Sequence, residues 1–194
     1  GDEELLVKFI DDGVLTNEEI ERGLKIALLN NRVVPAFVGS TLQDSGFAPL
    51  LDFIADIAPD PAQAIETAVG PDGKTAAVKV SPDGSMSALI IKTSSDQFSG
   101  RLSYIKVITG TFNADSEVFN IGENRKEKVG KLYRCTGKKL EEIKSLCAGD
   151  IGIAVKLPSA RTSDTLASDA ACLPFVRLRH PEPVYSMAVS AKEK

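Results

Sequence analysis

The stretch GRLSYIKVITGTF, residues 100–112, is the clearest indication of the fold. It is rich in β-branched and aromatic side chains and is bounded by glycine, which is typical of a β-strand that enters a turn. Four similar stretches surround it at regular spacing: SMSALIIKT (85–93), SEVFNI (116–121), EKVGKLYRC (127–135) and DIGIAVKL (150–157). Because no long helix interrupts these short strands, the pattern predicts a small closed barrel or a sandwich.

The first sixty residues have a different pattern, with helical spacing and one strand. Apolar residues at positions 5, 6, 9 and 10 predict one face of a first helix. Thr16 and Glu19 form a predicted capping box before a second helix, which ends at Asn30. Residues 33–38 then predict a short buried strand, and residues 48–58 predict a third helix.

Three further segments complete the chain. Residues 59–84 hold four prolines and two P-D-G turns, which predict a linker with one short strand at 76–80. KKLEEIKSL, residues 138–146, is interpreted as a short amphipathic insertion with leucine and isoleucine facing inward. The tail from residue 173 predicts one strand at 184–189, and a lone strand needs partners to bury its side chains.

Composition excludes several classes of function. The chain has 194 residues and a formal net charge of −4, and no apolar run approaches the ~20 residues of a membrane span. Three scattered cysteines and one histidine, His180, are a poor zinc ligand set and indicate free thiols in a reducing compartment. The phosphate-binding, dinucleotide-binding and G-x-S-x-G motifs are absent from the sequence. We therefore predict no catalytic residues and no metal site.

Paired carboxylates, such as Glu141 and Glu142, are interpreted as solvated helix faces. The basic segment, GENRKEKVGKLYRCTGKK at residues 122–139, is the one local departure from the acidic composition. It carries seven basic and two acidic side chains, a net charge of +5. A hairpin with this charge could follow a phosphate backbone, through Arg125, Lys126, Lys128 and Lys131. Alternatively, it is an ordinary solvated hairpin whose lysines protect the edge of a sheet.

The order of these segments resembles translation elongation factor G. VPAFVGSTLQDSGFAPLLDFIADIAPDP (34–61) resembles the end of that family's GTPase domain, in which V-P-V-x-x-G-S-A precedes P-L-L-D. DQFSGRLSYIKVITGTFNADSEVFN (96–120) resembles its second-domain signature F-x-G-R-L. KVGKLYRCTGKKLEEIKSLCAGDIGIAVKLPSARTSDTLAS (128–168) resembles the continuation with A-G-D-I and T-G-D-T-L, and FVRLRHPEPVYSMAVSAKEK (175–194) resembles the entry to the third domain.

The resemblance implies a mainly β fold, a closed antiparallel barrel of the translation-factor type, preceded by an α/β segment that ends a P-loop GTPase domain. It implies four parts: the end of the GTPase domain (1–60), a linker (61–84), the barrel (85–170), and a linker with the first strand of a third domain (171–194). Three departures from the family pattern are Thr41 in place of alanine, and Asp115 and Ser163 where glycine is usual.

For function, the resemblance implies an internal fragment of a cytoplasmic ribosomal GTPase that couples GTP hydrolysis to movement of tRNA and mRNA. Ser40, Thr41 and Leu42 would approach the guanine ring of GTP, which is bound with Mg²⁺ in the longer factor. The fragment lacks the phosphate-binding loop and should hold no cofactor alone. The expected partners are the ribosome, its small-subunit RNA and the rest of the factor, with no membrane and no DNA.

Two alternatives remain open at this point. One is a related ribosome-associated GTPase, of the tetracycline-resistance ribosomal protection type or the release-factor type. The other is a stand-alone β-barrel binding module with a helical cap.

Overall fold

The computed structural model describes residues 2–96, 100–137, 139–179 and 181–190. Lys138 of the basic segment, Phe98 of the second-domain signature and His180 lie outside the described residues. None of the described helices is long and apolar enough to cross a membrane.

Three helices lie in the first part of the chain: α1 (Glu3–Asp12), α2 (Asn17–Leu29) and α3 (Phe47–Asp56). The predicted capping box is confirmed, because Thr16 and Glu19 exchange hydrogen bonds between side chain and backbone in both directions. Lys8 of α1 pairs with Glu19 of α2. This hydrogen bond is the main reason that the pKa of Glu19 is lowered and that of Lys8 is raised. The pair therefore ties the two helices together.

The predicted strand at residues 33–38 is wrong for this chain, because the structure assigns no strand there. Val34 and Val38 are 91% and 94% exposed, so the segment is neither paired nor buried. A strand is held by hydrogen bonds to a neighbour, and no described strand pairs with these residues. Among the described residues, the only contact between aromatic rings in this region joins Phe37 to Phe53 of α3. The two ring centroids lie 5.0 Å apart.

Within the described residues, twelve strands follow a short 3₁₀ helix at Pro61–Gln63. They are β1 (Ile65–Val69), β2 (Thr75–Lys79), β3 (Ser87–Asp96), β4 (Gly100–Thr109), β5 (Thr111–Asn113), β6 (Glu117–Asn120), β7 (Arg125–Lys128), β8 (Leu132–Thr136), β9 (Lys139–Ile143), β10 (Ser145–Cys147), β11 (Ile151–Val155) and β12 (Thr165–Ala167). We call the part from β3 to β12 the β domain.

Eight strands of the β domain form one antiparallel sheet, in the order β7-β6-β12-β3-β4-β11-β8-β9. Strands β5 and β10 form a separate pair. The predicted antiparallel, mainly β architecture is confirmed. The recorded strand pairs do not close the sheet into a ring, since β7 and β9 are its two ends within the described residues.

The sheet buries a main core and a second apolar cluster on opposite sides of β3 and β4, beside a smaller cluster of Leu102, Ile153 and Val155. The main core contains Ile90, Ile105, Val107, Phe112, Leu146 and Leu166, all of them fully or almost fully buried. The second cluster contains Leu89 and Ile108 of the same two strands, together with Ala68, Val80 and Phe175. Alternation of side chains along a strand explains why neighbouring residues enter different clusters.

Three other predictions need correction. The predicted linker at 61–84 contains the β1–β2 hairpin, and its Ala68 and Val80 are buried in the second cluster. The amphipathic insertion forms strands β9 and β10, so Glu141 and Glu142 lie on a strand rather than on a helix. The structure assigns no strand to 184–189, where Val184 and Val189 are fully exposed.

Gly152 on β11 is required by close packing against Leu146 on β10. A Cβ atom at Gly152 would lie 2.5 Å from Cδ1 and 2.7 Å from Cδ2 of Leu146. Real Cβ atoms do not approach other carbon atoms this closely, so the absence of a side chain admits the β5–β10 pair to the core.

We predict that Gly152→Ala lowers the free energy of unfolding by about 1–3 kcal/mol through overpacking, and that Leu146→Ala lowers it by about 2–5 kcal/mol. In the double variant the clash is removed, so the loss should be smaller than the sum of the two single losses. Urea denaturation of the four proteins measures this difference. If the losses of unfolding free energy were strictly additive, the Cβ introduced by Gly152→Ala would not contact the side chain of Leu146.

Candidate functional site

The first candidate is the turn at residues 39–46, which carries the predicted guanine-binding residues. Ser40 and Ser45 exchange two backbone hydrogen bonds of 3.0 and 3.1 Å and close the turn. Gly39 and Gly46 cross at its base, and a Cβ on Gly46 would lie 2.5 Å from the carbonyl oxygen of Val38. Gly46 also has a φ of 85°, in the region that favours glycine. Two glycines therefore fix the shape of the turn.

This geometry separates the three predicted residues. The N–H of Ser40 is already donated to the carbonyl oxygen of Ser45. Thr41 and Leu42 lie at the tip, where Leu42 is 97% exposed and neither amide has a recorded partner among the described residues. The turn can therefore offer the backbone N–H groups of Thr41 and Leu42 to an acceptor such as a carbonyl oxygen.

The second candidate is the basic segment, and it is not one hairpin. Its two strands lie in different parts of the sheet: β7 pairs with β6, whereas β8 pairs with β9 and β11. The pattern of charge along the sequence could not reveal this, because strand pairing depends on partners distant in the chain. Arg125, Lys126 and Lys128 lie on the terminal strand β7, and Lys131 follows it.

Two of the four predicted RNA-binding residues are occupied by ion pairs. Lys126 lies 2.6 Å from Glu117, and Lys131 lies 2.7 Å from Glu142. These hydrogen bonds raise the pKa of both lysines. Arg125 and Lys128 are exposed and have no recorded ion pair among the described residues. They are the cations of β7 best placed to meet a phosphate.

A third candidate, which the sequence did not predict, is a buried polar cluster under β7. Glu127 lies between two exposed lysines but points inward, and it is buried together with Asn120 and Asp164. The side-chain amide of Asn120 donates to Glu127 Oε1 at 2.9 Å and to Asp164 Oδ2 at 3.2 Å. One amide thus bridges two carboxylates. The inward position of Glu127 follows from strand alternation, which would have been the only signal in the sequence.

Asp164 joins this cluster to the loop before β12 and to Arg177. Its Oδ2 also accepts from the backbone N–H of Arg161 at 2.9 Å, and its Oδ1 lies 3.5 Å from the guanidinium of Arg177. One oxygen of the cluster, Oε2 of Glu127, is buried without a recorded hydrogen bond. The described residues contain no group of three or more carboxylate, histidine or cysteine side chains placed to hold a metal ion.

Comparisons with known proteins identify relatives of this chain. Residues 85–169 match the family model described as elongation factor G domain 2. The whole chain is 36% identical over 195 residues to elongation factor G 2 of Desulfotalea psychrophila. The β domain belongs to the elongation factor G domain 2 family.

A solved structure adds support for the fold. A crystal structure of a Thermus thermophilus protein matches 93% of this chain and 25% of its own with a TM-score of 0.65, at 24% sequence identity. At this identity the match concerns the fold alone. The chain spans 28% of the length of the Desulfotalea psychrophila relative.

Two departures from the elongation factor G pattern have a common physical explanation. Asp115 and Ser163 stand where the resemblance leads us to expect glycine, and their φ angles are 55° and 76°. Both backbones are in the left-handed region, which glycine adopts without strain. Aspartate tolerates this region in turns. The strain at Ser163 is offset by a hydrogen bond that glycine could not make, since its Oγ accepts from the N–H of Leu178 at 3.1 Å.

We predict that Asp164→Ala destabilises this elongation factor G domain by about 2–4 kcal/mol, because it removes acceptors from Asn120 and from the N–H of Arg161. The matched control is Asp83→Ala, in an exposed turn, which should change stability by less than about 0.5 kcal/mol. Urea denaturation measures both. Equal effects of the two substitutions would show that the cluster contributes nothing specific.

Proposed function

We propose that this chain is part of a longer ribosomal elongation factor of the G type, which couples GTP hydrolysis to movement of tRNA and mRNA. The observation that carries the proposal is the 36% identity to elongation factor G 2, which extends over the whole chain rather than over the β domain alone. In this proposal residues 1–60 end the GTPase domain, residues 85–170 form the second domain, and the factor acts in the cytoplasm.

The turn at residues 39–46 supports a role in guanine recognition. Its two glycines hold a fixed shape, and the N–H groups of Thr41 and Leu42 donate to no group in the part of the chain that the structure describes. A guanine carbonyl oxygen is an acceptor that this pair fits, with the hydroxyl of Ser40 beside it. The phosphates and Mg²⁺ would be held by residues outside this chain, so we expect the chain alone to hold no GTP.

The β domain is proposed to bind small-subunit ribosomal RNA through the exposed cations of β7. Neither Arg125 nor Lys128 has an ion pair with another described residue, so these two are the candidates. Lys126 and Lys131 could join only by leaving their carboxylate partners.

The resemblance to elongation factor G also supports a closed barrel for the β domain. Residues 129–131 favour it, because the N–H of Val129 bonds to Ser116 next to β6 and the carbonyl of Lys131 accepts from Val155 on β11.

The alternative of a stand-alone binding module is tested by one simple observation. If the coding sequence before Gly1 encodes a phosphate-binding loop and an N-K-x-D motif, the longer GTPase is present. An initiator methionine directly before Gly1 would overturn the proposal. A ribosomal protection or release-factor type of GTPase would differ in activity, which translocation assays with the whole factor distinguish.

For the RNA contact, we predict that Arg125→Gln with Lys128→Gln in the whole factor weakens binding to small ribosomal subunits. Binding releases counterions at each phosphate that a cation contacts, so a variant with fewer contacts releases fewer counterions. The slope of log K against log salt should therefore become shallower by about one unit per lost contact. Binding is measured over a series of salt concentrations, with circular dichroism to establish that the fold is intact.

The matched control is Lys25→Gln with Lys79→Gln. It removes the same charge from two exposed lysines of α2 and β2 that have no recorded ion pair within the described residues. The control should keep the wild-type slope. If both double variants change binding equally, the cations of β7 act only through net charge and the contact is refuted.

A further inference from the structure

Residues 174–178, which we call the strap, follow the β domain and fold back over it. Two backbone hydrogen bonds join the strap to β1: from Val69 N–H to the carbonyl of Pro174 at 2.8 Å, and from Val176 N–H to the carbonyl of Thr67 at 2.9 Å. Together with the antiparallel bridge between Ala68 and Phe175, they make the strap a short third strand beside the β1–β2 hairpin. Its length is too small for stability without further contacts.

The other edge of the strap is held by side chains at the start of β12 and in the loop before it. Thr165 Oγ1 accepts from the N–H of Phe175 at 2.8 Å, and Ser163 Oγ accepts from the N–H of Leu178 at 3.1 Å. A side-chain hydroxyl here replaces the backbone partner that a regular strand would have. The strap is thus bound by backbone on one side and by two hydroxyl groups on the other.

Asp164 lies between Ser163 and Thr165 in the sequence, and its buried side chain holds the loop before β12 in place. It is 3% exposed, and its side chain binds Asn120 and the N–H of Arg161. Its other oxygen faces the guanidinium of Arg177 on the strap, at 3.5 Å. The buried carboxylate therefore both shapes the loop that holds the strap and attracts the strap's own cation.

The apolar anchor of the strap is small. Phe175 is its one buried side chain and fills the second cluster beside Ala68, Val80, Leu89 and Ile108. Val176 and Leu178 are exposed, and so is Arg177, whose side chain is 71% accessible. Removal of the strap would uncover one aromatic pocket and leave the main core untouched, because no strap residue belongs to that core.

We propose that the strap is a detachable strand, latched by Asp164 and Arg177, which can leave the β domain without unfolding it. Release exposes the edge of β1 and the pocket that Phe175 fills. The chain beyond residue 178 can then leave the β domain in a different direction. This conformational device depends only on contacts within the chain and stands whether or not the proposed ribosomal role is correct.

Native-state hydrogen exchange of the whole chain in low urea tests the detachment. The amides of Val69, Phe175, Val176 and Leu178 should exchange together, at least about tenfold faster than the amide of Val107, which bonds to Asp150 inside the β domain. Exchange of all five amides only by global unfolding would overturn the proposal.

Two matched pairs of variants test the latch. Arg177→Gln should speed exchange of the strap amides about three- to tenfold and leave Val107 unchanged. Arg179→Gln, two residues further along and without a recorded ion pair in the described part of the chain, should change neither. Thr165→Val removes the acceptor of Phe175 and should act like Arg177→Gln, whereas Thr165→Ser keeps the hydroxyl and should stay near wild type.

These exchange rates show whether Asp164 and Arg177 latch the strap. Selective release by Arg177→Gln and Thr165→Val supports it. If Arg177→Gln matches Arg179→Gln, or if Thr165→Val speeds Val107 as much as the strap, the strap is an ordinary part of the folded unit and the proposal is wrong.

Discussion

The pairing of β3 with β4 is the interaction on which the rest of the structure depends. Their antiparallel register runs from Ser87–Thr109 to Asp96–Gly100, the longest in the molecule, with two bulges. β12 is added to the outer edge of β3 and β11 to that of β4, so the other six strands of the large sheet are joined through this pair. Its two faces also build the two larger apolar clusters, with Ile90 and Ile105 on one side and Leu89 and Ile108 on the other.

Much of this fold could be predicted because its signals are local. Alternating β-branched residues and glycine turns indicated the strands, and the capping box located the start of α2. The failures came where a local pattern needs a distant partner. Residues 33–38 have the composition of a strand but pair with none of the described strands. The proline-rich segment 61–84 contains a hairpin because Leu89 and Ile108 offer it an apolar surface.

The site was less predictable than the fold. The resemblance located the turn at Ser40, but only the folded turn shows that the amide of Ser40 is already hydrogen-bonded, whereas those of Thr41 and Leu42 have no partner among the residues described. Charge along residues 122–139 suggested one basic surface. Pairing instead divides it between two strands, and ion pairs occupy Lys126 and Lys131. The cluster of Asn120, Glu127 and Asp164 joins residues up to 44 positions apart, a distance over which spacing in the sequence carries no signal.

The central claim is that the β domain and the β1–β2 hairpin bury their apolar side chains against each other, whereas residues 33–38 are exposed and pair with no strand in the described part of the chain. Limited proteolysis followed by mass spectrometry tests this directly, since cleavage follows local opening. The account predicts first cuts between residues 13 and 46 and in the strap or beyond it, leaving a resistant product that contains β1 to β12. A resistant product that retains residues 13–46 intact, or early cleavage within β3 or β4, would contradict it.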